Sequence, residues 1–194
     1  MMRGGNDSVE RLSESAPCAR VVSVVEKDGR AAKILGGIFL LCGRKNCRVV
    51  PYGGPVPPNA ARPVLLVCGD RGDLDASGYS VCVAERELSD RIAAPRLITY
   101  STGRNDADFT ARNIRRLPDG RAAFEIVGIG VIGRVRLADG DLSAVAPSLA
   151  AAAAAVGAGV PFAEALRALN GGSAESREPE SRGRADRPGG QFTE

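Results

Sequence analysis

Five short apolar segments, all within the first hundred residues, constrain the fold more than any other feature of the sequence. They comprise residues 20–25, 47–51, 64–68, 79–84 and 96–100. Their nearly continuous apolar character is typical of strands that are buried on both faces of a sheet. Helical patterns at residues 30–43 and 85–92, or loops, separate them. This alternation predicts an α/β fold around a parallel sheet that is covered on both faces.

The second part of the chain shows a different pattern. Residues 108–115, 121–127 and 131–137 alternate apolar and polar side chains around the turn signals Pro118-Asp119-Gly120 and 128–130, which predicts an antiparallel meander. A helix is expected over 142–156, where six consecutive alanines at 150–155 allow close packing, and a last amphipathic helix is expected from Pro161 onward. We therefore expect a small antiparallel sheet and two C-terminal helices after the parallel sheet.

Composition divides the chain into one domain and two polar ends. The length of 194 residues suits a single globular domain, which we place at residues 20–170. Residues 1–19 are rich in Ser, Gly and Glu, and residues 171–194 mix both charge signs with Gly, Pro and Ser. Such segments bury too little apolar surface to fold, so we expect both to be disordered and the second to be a polyampholyte tail.

Several kinds of chemistry are excluded by residues that the sequence lacks. It contains no His, so Ser-His-Asp triads, Cys-His pairs and His-zinc sites are ruled out. Its only lysines are Lys27, Lys33 and Lys45, so chemistry that needs a later lysine is also ruled out. The net charge of +3 is small and dispersed, which gives no reason to expect a nucleic-acid partner.

The cysteines and the apolar runs indicate a cytoplasmic protein. The five cysteines are odd in number and form no C-x-x-C pair, so we interpret them as buried free thiols in a reducing compartment. The first twenty residues lack the apolar core of a secretory signal. The longest strongly apolar run, 34–42, is about half a membrane span, so no membrane association is expected.

The candidate functional segment is VVSVVEKDGRAAK, residues 21–33, where a strand runs through a glycine-containing loop into a helix. This is the arrangement in which backbone N–H groups and the helix dipole bind phosphate. A working phosphate-binding loop (P-loop) also has a glycine at its tight turn, a lysine and a metal-binding hydroxyl. Only the glycine at 29 remains, so we interpret the loop as degenerate and expect no catalytic and no metal-binding residue there. Its positions are Glu26, Lys27, Asp28, Gly29, Arg30, Ala31 and Ala32.

At this point the chain resembles the central, ATP-binding domain of the Mur ligases, the amide ligases that build the peptidoglycan stem peptide, with folylpolyglutamate synthase as a relative. Residues 21–54 are similar to its strand, G-T-x-G-K-T-T loop, helix and strand. The segment RLITYSTGRNDADFTARNIRRLPDGRAAFEI is similar to its acidic-Ala-Asp turn and Ala-x-Asn-Ile strand. The segment SAVAPSLAAAAAAVGAGVPFAEALRALN is similar to its closing Ala-rich helices. The resemblance covers about residues 20–170 and implies a P-loop-type parallel sheet.

The departures from that family suggest lost catalysis. By the resemblance, Glu26 stands for a loop glycine, Arg30 for the lysine, Ala31 and Ala32 for hydroxyls, and Leu66 for a metal-binding carboxylate. By the resemblance, we expect no counterpart of the stretch that carries the family's carbamoylated lysine between Ala84 and Arg96, and none of the family's flanking UDP-sugar-binding and C-terminal ligase domains.

The resemblance therefore implies a decayed, non-catalytic Mur-ligase-like protein, a pseudoenzyme that binds or regulates a complete Mur-type ligase or another cell-wall protein. We expect no cofactor, although Arg30 could support weak ATP or phosphate binding in place of lysine. One alternative is half of a split ATP-dependent amide ligase whose partner supplies the missing groups. A second alternative is an α/β binding domain of unrelated function.

Overall fold

The computed structural model describes residues 20–55, 60–61, 63–70, 72, 74–138 and 140–171. The disorder expected for residues 1–19 and 171–194 lies outside these residues, apart from Gly171. The strands are β1 Arg20–Val25, β2 Cys47–Pro51, β3 Val64–Val67, β4 Val81–Glu85, β5 Leu97–Ser101, β6 Phe109–Arg116, β7 Ala122–Gly128 and β8 Val131–Arg136. The helices are α1 Arg30–Leu41, α2 Val145–Gly157 and α3 Phe162–Leu169. Two short 3₁₀ helices cover Arg86–Arg91 and Leu142–Ala144.

The eight strands form one sheet in the order β2-β1-β3-β4-β5-β6-β7-β8. Strands β1 to β5 pair in parallel, and β6, β7 and β8 form an antiparallel meander. The α/β fold predicted from the sequence, with its parallel strands, meander and C-terminal helices, is confirmed. The meander also continues the parallel sheet, because Tyr100 and Ser101 pair in parallel with Phe109 and Thr110.

Left-handed backbone at two glycines sets the limits of α1. Gly29 precedes the helix with φ of 72°, and Gly43 follows it with φ of 64°. Glycine adopts this conformation without the steric cost of a Cβ atom and commonly ends helices. The helix therefore ends at Leu41, two residues before the predicted end.

Helix α2 lies at the centre of the helical layer. It packs on β3, β4, β5 and β6 and contacts both α1 and α3. All six alanines, Ala150 to Ala155, are buried with at most 1% of their surface exposed. Their small side chains let the sheet and two helices approach α2 at once, as the alanine run predicts.

The opposite face of the parallel strands is covered without an α-helix. Buried Val25, Leu65, Val67, Cys82 and Ala84 point to that side. The residues that pack over this surface are Leu74, Tyr79, Leu88, Ile92, Ala94 and Leu97. The predicted coverage of both faces is present, but the helix expected over 85–92 is a six-residue 3₁₀ helix.

The thiols are free at the four cysteines that the structure describes. The prediction of burial is correct for Cys82, whereas Cys42, Cys47 and Cys68 are partly exposed. Burial raises the pKa of Cys68 to about 12 and that of Cys82 to about 11. Both thiols therefore stay protonated at neutral pH, which keeps their nucleophilicity low. Among the described residues, no helix has the length and apolar character needed to cross a membrane.

Candidate functional site

A cleft of about 250 Å³ lies where β1, β3, β4 and β5 end. Strand β1 pairs with β2 on one side and with β3 on the other, so the chain changes direction across the sheet at β1. In α/β sheets such a switch point opens a crevice beyond the carboxyl ends of the strands, where ligands bind. The residues lining it are Glu26, Lys27, Asp28, Ala31, Cys68, Gly69, Glu85, Tyr100, Ser143, Ala146, Pro147 and Ala150.

The loop predicted as a degenerate phosphate site lies between β1 and α1 and borders this cleft. Its carboxylates bond to the first backbone N–H groups of α1. Glu26 Oε2 accepts the Ala31 N–H at 2.8 Å, and Glu26 Oε1 accepts the Ala32 N–H at 2.9 Å. Asp28 Oδ1 accepts the Arg30 N–H at 3.2 Å.

These contacts use the groups that would otherwise bind an anion. The first N–H groups of a helix have no partner within the helix, and the helix dipole places partial positive charge beside them. A bound phosphate exploits both properties. Here the chain's own carboxylate takes that position, so the start of α1 is neutralised internally. The sequence analysis placed Glu26 in this loop as the replacement of a glycine and missed its hydrogen bonds to the helix.

The Arg30 side chain is held at the start of the C-terminal helices. Its guanidinium donates to Asp141 Oδ2 at 2.7 Å and to Ser143 Oγ at 2.8 Å. Hydrogen bonds from Ser143, followed by the Arg30 guanidinium, lower the pKa of Asp141 below its ordinary value. This cluster ties the loop before α2 to the first turn of α1. Asp141 and Ser143 were not predicted as site residues, because both are distant from Arg30 in sequence.

The deeper wall of the cleft combines the phenol of Tyr100, the thiol of Cys68 and the carboxylate of Glu85. The Tyr100 hydroxyl is buried and donates to the Val67 carbonyl at 3.0 Å. Burial raises the pKa of Tyr100 far above its ordinary value, so the phenol stays neutral. Glu85, the last residue of β4, is partly buried, and burial followed by the nearby Glu87 carboxylate raises its pKa. The sequence signal for Glu85 was a charged residue directly after the predicted parallel strand 79–84.

Leu66 and the acidic residues that follow β3 form no ligand set for a metal among the described residues. Leu66 is fully buried in the core formed with the helices. Asp70 accepts the Gly72 N–H and pairs with Arg91 at 2.8 Å, and Asp75 accepts the Ser77 N–H. No group of three potential metal ligands occurs in the part of the chain that the structure describes.

Charge in the cleft is unfavourable for a nucleotide. Glu26, Asp28 and Glu85 line it together with one cation, Lys27. Carboxylates repel the phosphates of ATP, and Ala31 offers no hydroxyl to a metal ion. The cleft therefore lies where α/β sheets bind ligands, and the charged groups in its lining are mainly acidic.

The raised pKa of Glu85 predicts a pH-dependent effect of Glu85→Gln. Because the folded-state pKa lies above the unfolded value, this group stabilises the fold below the unfolded pKa, and that contribution is lost as pH rises through the folded pKa. The free energy of unfolding of the variant minus that of wild type should therefore be larger at pH 7 than at pH 4. The side chain is only partly buried, so we expect a difference of below about 1 kcal/mol. Urea unfolding at both pH values measures it, and an equal effect at both would contradict the prediction.

Comparison with known proteins defines the fold class. No protein-family model and no curated protein matches the sequence. The chain resembles the solved structure of the UDP-N-acetylmuramoylalanyl-D-glutamyl-2,6-diaminopimelate–D-alanyl-D-alanyl ligase from Acinetobacter baumannii, with a TM-score of 0.56 and 16% identity over 79% of this chain and 46% of that one.

A UDP-N-acetylmuramate:L-alanyl-gamma-D-glutamyl-meso-diaminopimelate ligase from Neisseria meningitides and a murein peptide ligase from Psychrobacter arcticus give similar values. The ligase from Neisseria meningitides matches with a TM-score of 0.52 and 16% identity over 79% of this chain and 65% of that one. The ligase from Psychrobacter arcticus matches with a TM-score of 0.52 and 14% identity over 79% of this chain and 46% of that one. The chain is thus an α/β protein with the fold of the Mur ligases. It spans about half the length of the first of these ligases, 46%.

Proposed function

We propose that this chain is a Mur-ligase-like protein with a decayed ATP site that acts as a non-catalytic binding or regulatory partner in peptidoglycan or related amide-ligase metabolism. One observation carries the proposal. The Glu26 carboxylate accepts the Ala31 and Ala32 N–H groups at the start of α1, so the helix end that would bind phosphate is already occupied.

Binding of ATP at this loop would need several changes at once. A phosphate would have to displace Glu26, separate Arg30 from Asp141 and Ser143, and recruit a metal beside two alanines. Losing one electrostatic group from such a site typically reduces the rate by about 10²- to 10³-fold. Because these requirements are independent, their combined loss leaves no measurable amide ligation, and no cofactor is needed for the proposed role.

Calorimetric titration with Mg-ATP tests the decayed site. We expect no binding tighter than a Kd of about 1 mM, and no phosphate release over cell-wall precursors. Arg30→Ala is the diagnostic variant because Arg30 is the cation that could substitute for the P-loop lysine. Micromolar binding that Arg30→Ala abolishes, or turnover by the chain, would overturn the proposal. Turnover that appears only with a second chain would favour the split-ligase alternative.

The regulatory role needs a separate measurement. The purified chain is added at increasing concentration to a complete Mur-type ligase at fixed substrate concentration, and the rate of phosphate release is followed. We expect a saturable change in rate with at least one ligase of the pathway. If no ligase of the pathway responds at saturating concentrations of the chain, the regulatory part of the proposal is wrong.

A further inference from the structure

A second groove, of about 570 Å³, lies at the other end of the molecule from β2, where β8 meets the end of α3. Its lining residues are Arg121, Arg134, Arg136, Ala138, Leu169, Asn170 and Gly171. Three of the seven are arginines. None of them was singled out in the sequence, because the net charge of the whole chain is only +3.

Positive charge accumulates in the meander that forms one wall of this groove. Residues 109–138 contain the six arginines Arg112, Arg115, Arg116, Arg121, Arg134 and Arg136, against only Asp119 and Glu125. On β8, Arg134 and Arg136 are two residues apart, so their side chains project from the same face of the strand. Neighbouring like charges at a concave surface raise the local positive potential.

The local acids form ion pairs with two of the three guanidinium groups. Arg121 pairs with Asp119 at 2.8 Å, and Arg134 pairs with Glu125 at 3.1 Å. Arg136 has no ion pair with any residue that the structure describes. The two pairs are solvent-accessible, with 43% and 59% of the arginine side chains exposed. Exposed pairs are weak, so an incoming anion can share these guanidinium groups at little cost.

Asn170 fixes the position of β8, the strand that forms one wall of the groove. Its Oδ1 accepts the Arg136 N–H at 2.8 Å, and its Nδ2 donates to the Arg134 carbonyl at 3.1 Å and to the Leu166 carbonyl at 2.9 Å. The side chain thus connects the backbone of an edge strand to the end of α3. The two arginines are held on an ordered backbone, which lowers the entropic cost of binding a ligand between them.

We propose that this groove binds a small anion that carries two or more carboxylate or phosphate groups. The guanidinium group forms planar, paired hydrogen bonds with either group, and Arg136 is available for them. The volume lies in the range typical of small-molecule sites. This proposal is independent of the decayed ATP site, because the two sites have opposite charge and share no lining residue.

Calorimetric titration of the full chain with citrate and with pyrophosphate, at an ionic strength matched with chloride, tests the site. We expect saturable binding of at least one of them, which identifies carboxylate or phosphate as the preferred group. Arg136→Gln should weaken it at least about tenfold, because a charge-assisted pair is lost. Arg48→Gln, at an exposed position on β2 at the opposite edge of the sheet, is the matched control and should leave the affinity within about twofold.

Two results would overturn the proposal. Absence of saturable binding by both anions would show that the groove is not a site. Equal weakening by Arg136→Gln and Arg48→Gln would show that the anions respond to the overall charge of the protein. Circular dichroism of both variants should match wild type, since both arginines are exposed on strands at sheet edges.

Discussion

Phe124→Ala is expected to lower the free energy of unfolding by about 3–5 kcal/mol, the range for truncating a buried aromatic side chain. Phe124 lies on β7, in the centre of the meander, and is 1% exposed. It belongs to the same hydrophobic core as Val83 of β4 and Leu149 of α2. The cavity left by the substitution would therefore weaken both the meander and the parallel strands.

The tyrosines make this prediction specific. All three, Tyr52, Tyr79 and Tyr100, precede the meander, so tyrosine fluorescence reports on the parallel part of the sheet. If the domain is one cooperative unit, Phe124→Ala shifts the urea midpoint seen by fluorescence as much as the midpoint seen by circular dichroism. A fluorescence midpoint that stays at the wild-type value would show that the meander unfolds independently.

Ile132→Ala is the matched control on the neighbouring strand. Ile132 is apolar and lies on β8, but 74% of its surface is exposed. Removing it deletes little buried surface and leaves no cavity, so the free energy of unfolding should change by within about 0.5 kcal/mol. A loss comparable to that of Phe124→Ala would mean that burial is not the cause of the effect.

Local patterns predicted the elements of this fold better than their assembly. The β-branched runs, the alanine helix and the turn glycines each specify a conformation within a few residues, and the structure contains those elements. The parallel pairing of β5 with the start of β6 involves only Tyr100, Ser101, Phe109 and Thr110. It unites the meander with the parallel strands, and no periodicity within either strand encodes it.

Local sequence patterns predicted even less of the candidate sites than of the assembly of the sheet. The sequence places Glu26 before a helix, but the residue type does not say whether its carboxylate faces solvent or turns back onto the backbone. The partners of Arg30 lie 111 and 113 residues away. The groove lined by Arg121, Arg134 and Arg136, the arginine groove, brings together the residue before β7, β8 and the end of α3 from separate parts of the chain. Chemistry that depends on such contacts becomes visible only once the chain is folded.

Glu26→Ala is expected to lower the free energy of unfolding by about 2 kcal/mol. The substitution removes the acceptor of two backbone N–H groups at the start of α1, and both bonds involve a charged, partly buried group. Losing a helix cap costs up to about 2 kcal/mol, and hydrogen bonds to charged groups lie at the upper end of the range for single bonds. Glu26→Gln keeps one carbonyl acceptor and should lose about half as much. Urea unfolding measured by circular dichroism compares the three proteins.

Stability measured in inorganic phosphate then tests whether Glu26 only caps α1 or also takes the place of a bound phosphate. In Glu26→Ala the freed N–H groups and the helix dipole form an anion site, so phosphate should stabilise this variant more than wild type at equal ionic strength. The extra stability should grow logarithmically with phosphate concentration, as for any ligand of the folded state. The arginine groove is unchanged between the two proteins, so its response to phosphate cancels in the comparison. If phosphate stabilises both equally, Glu26 is only a cap, and the occupied loop no longer supports the proposed decay of the ATP site.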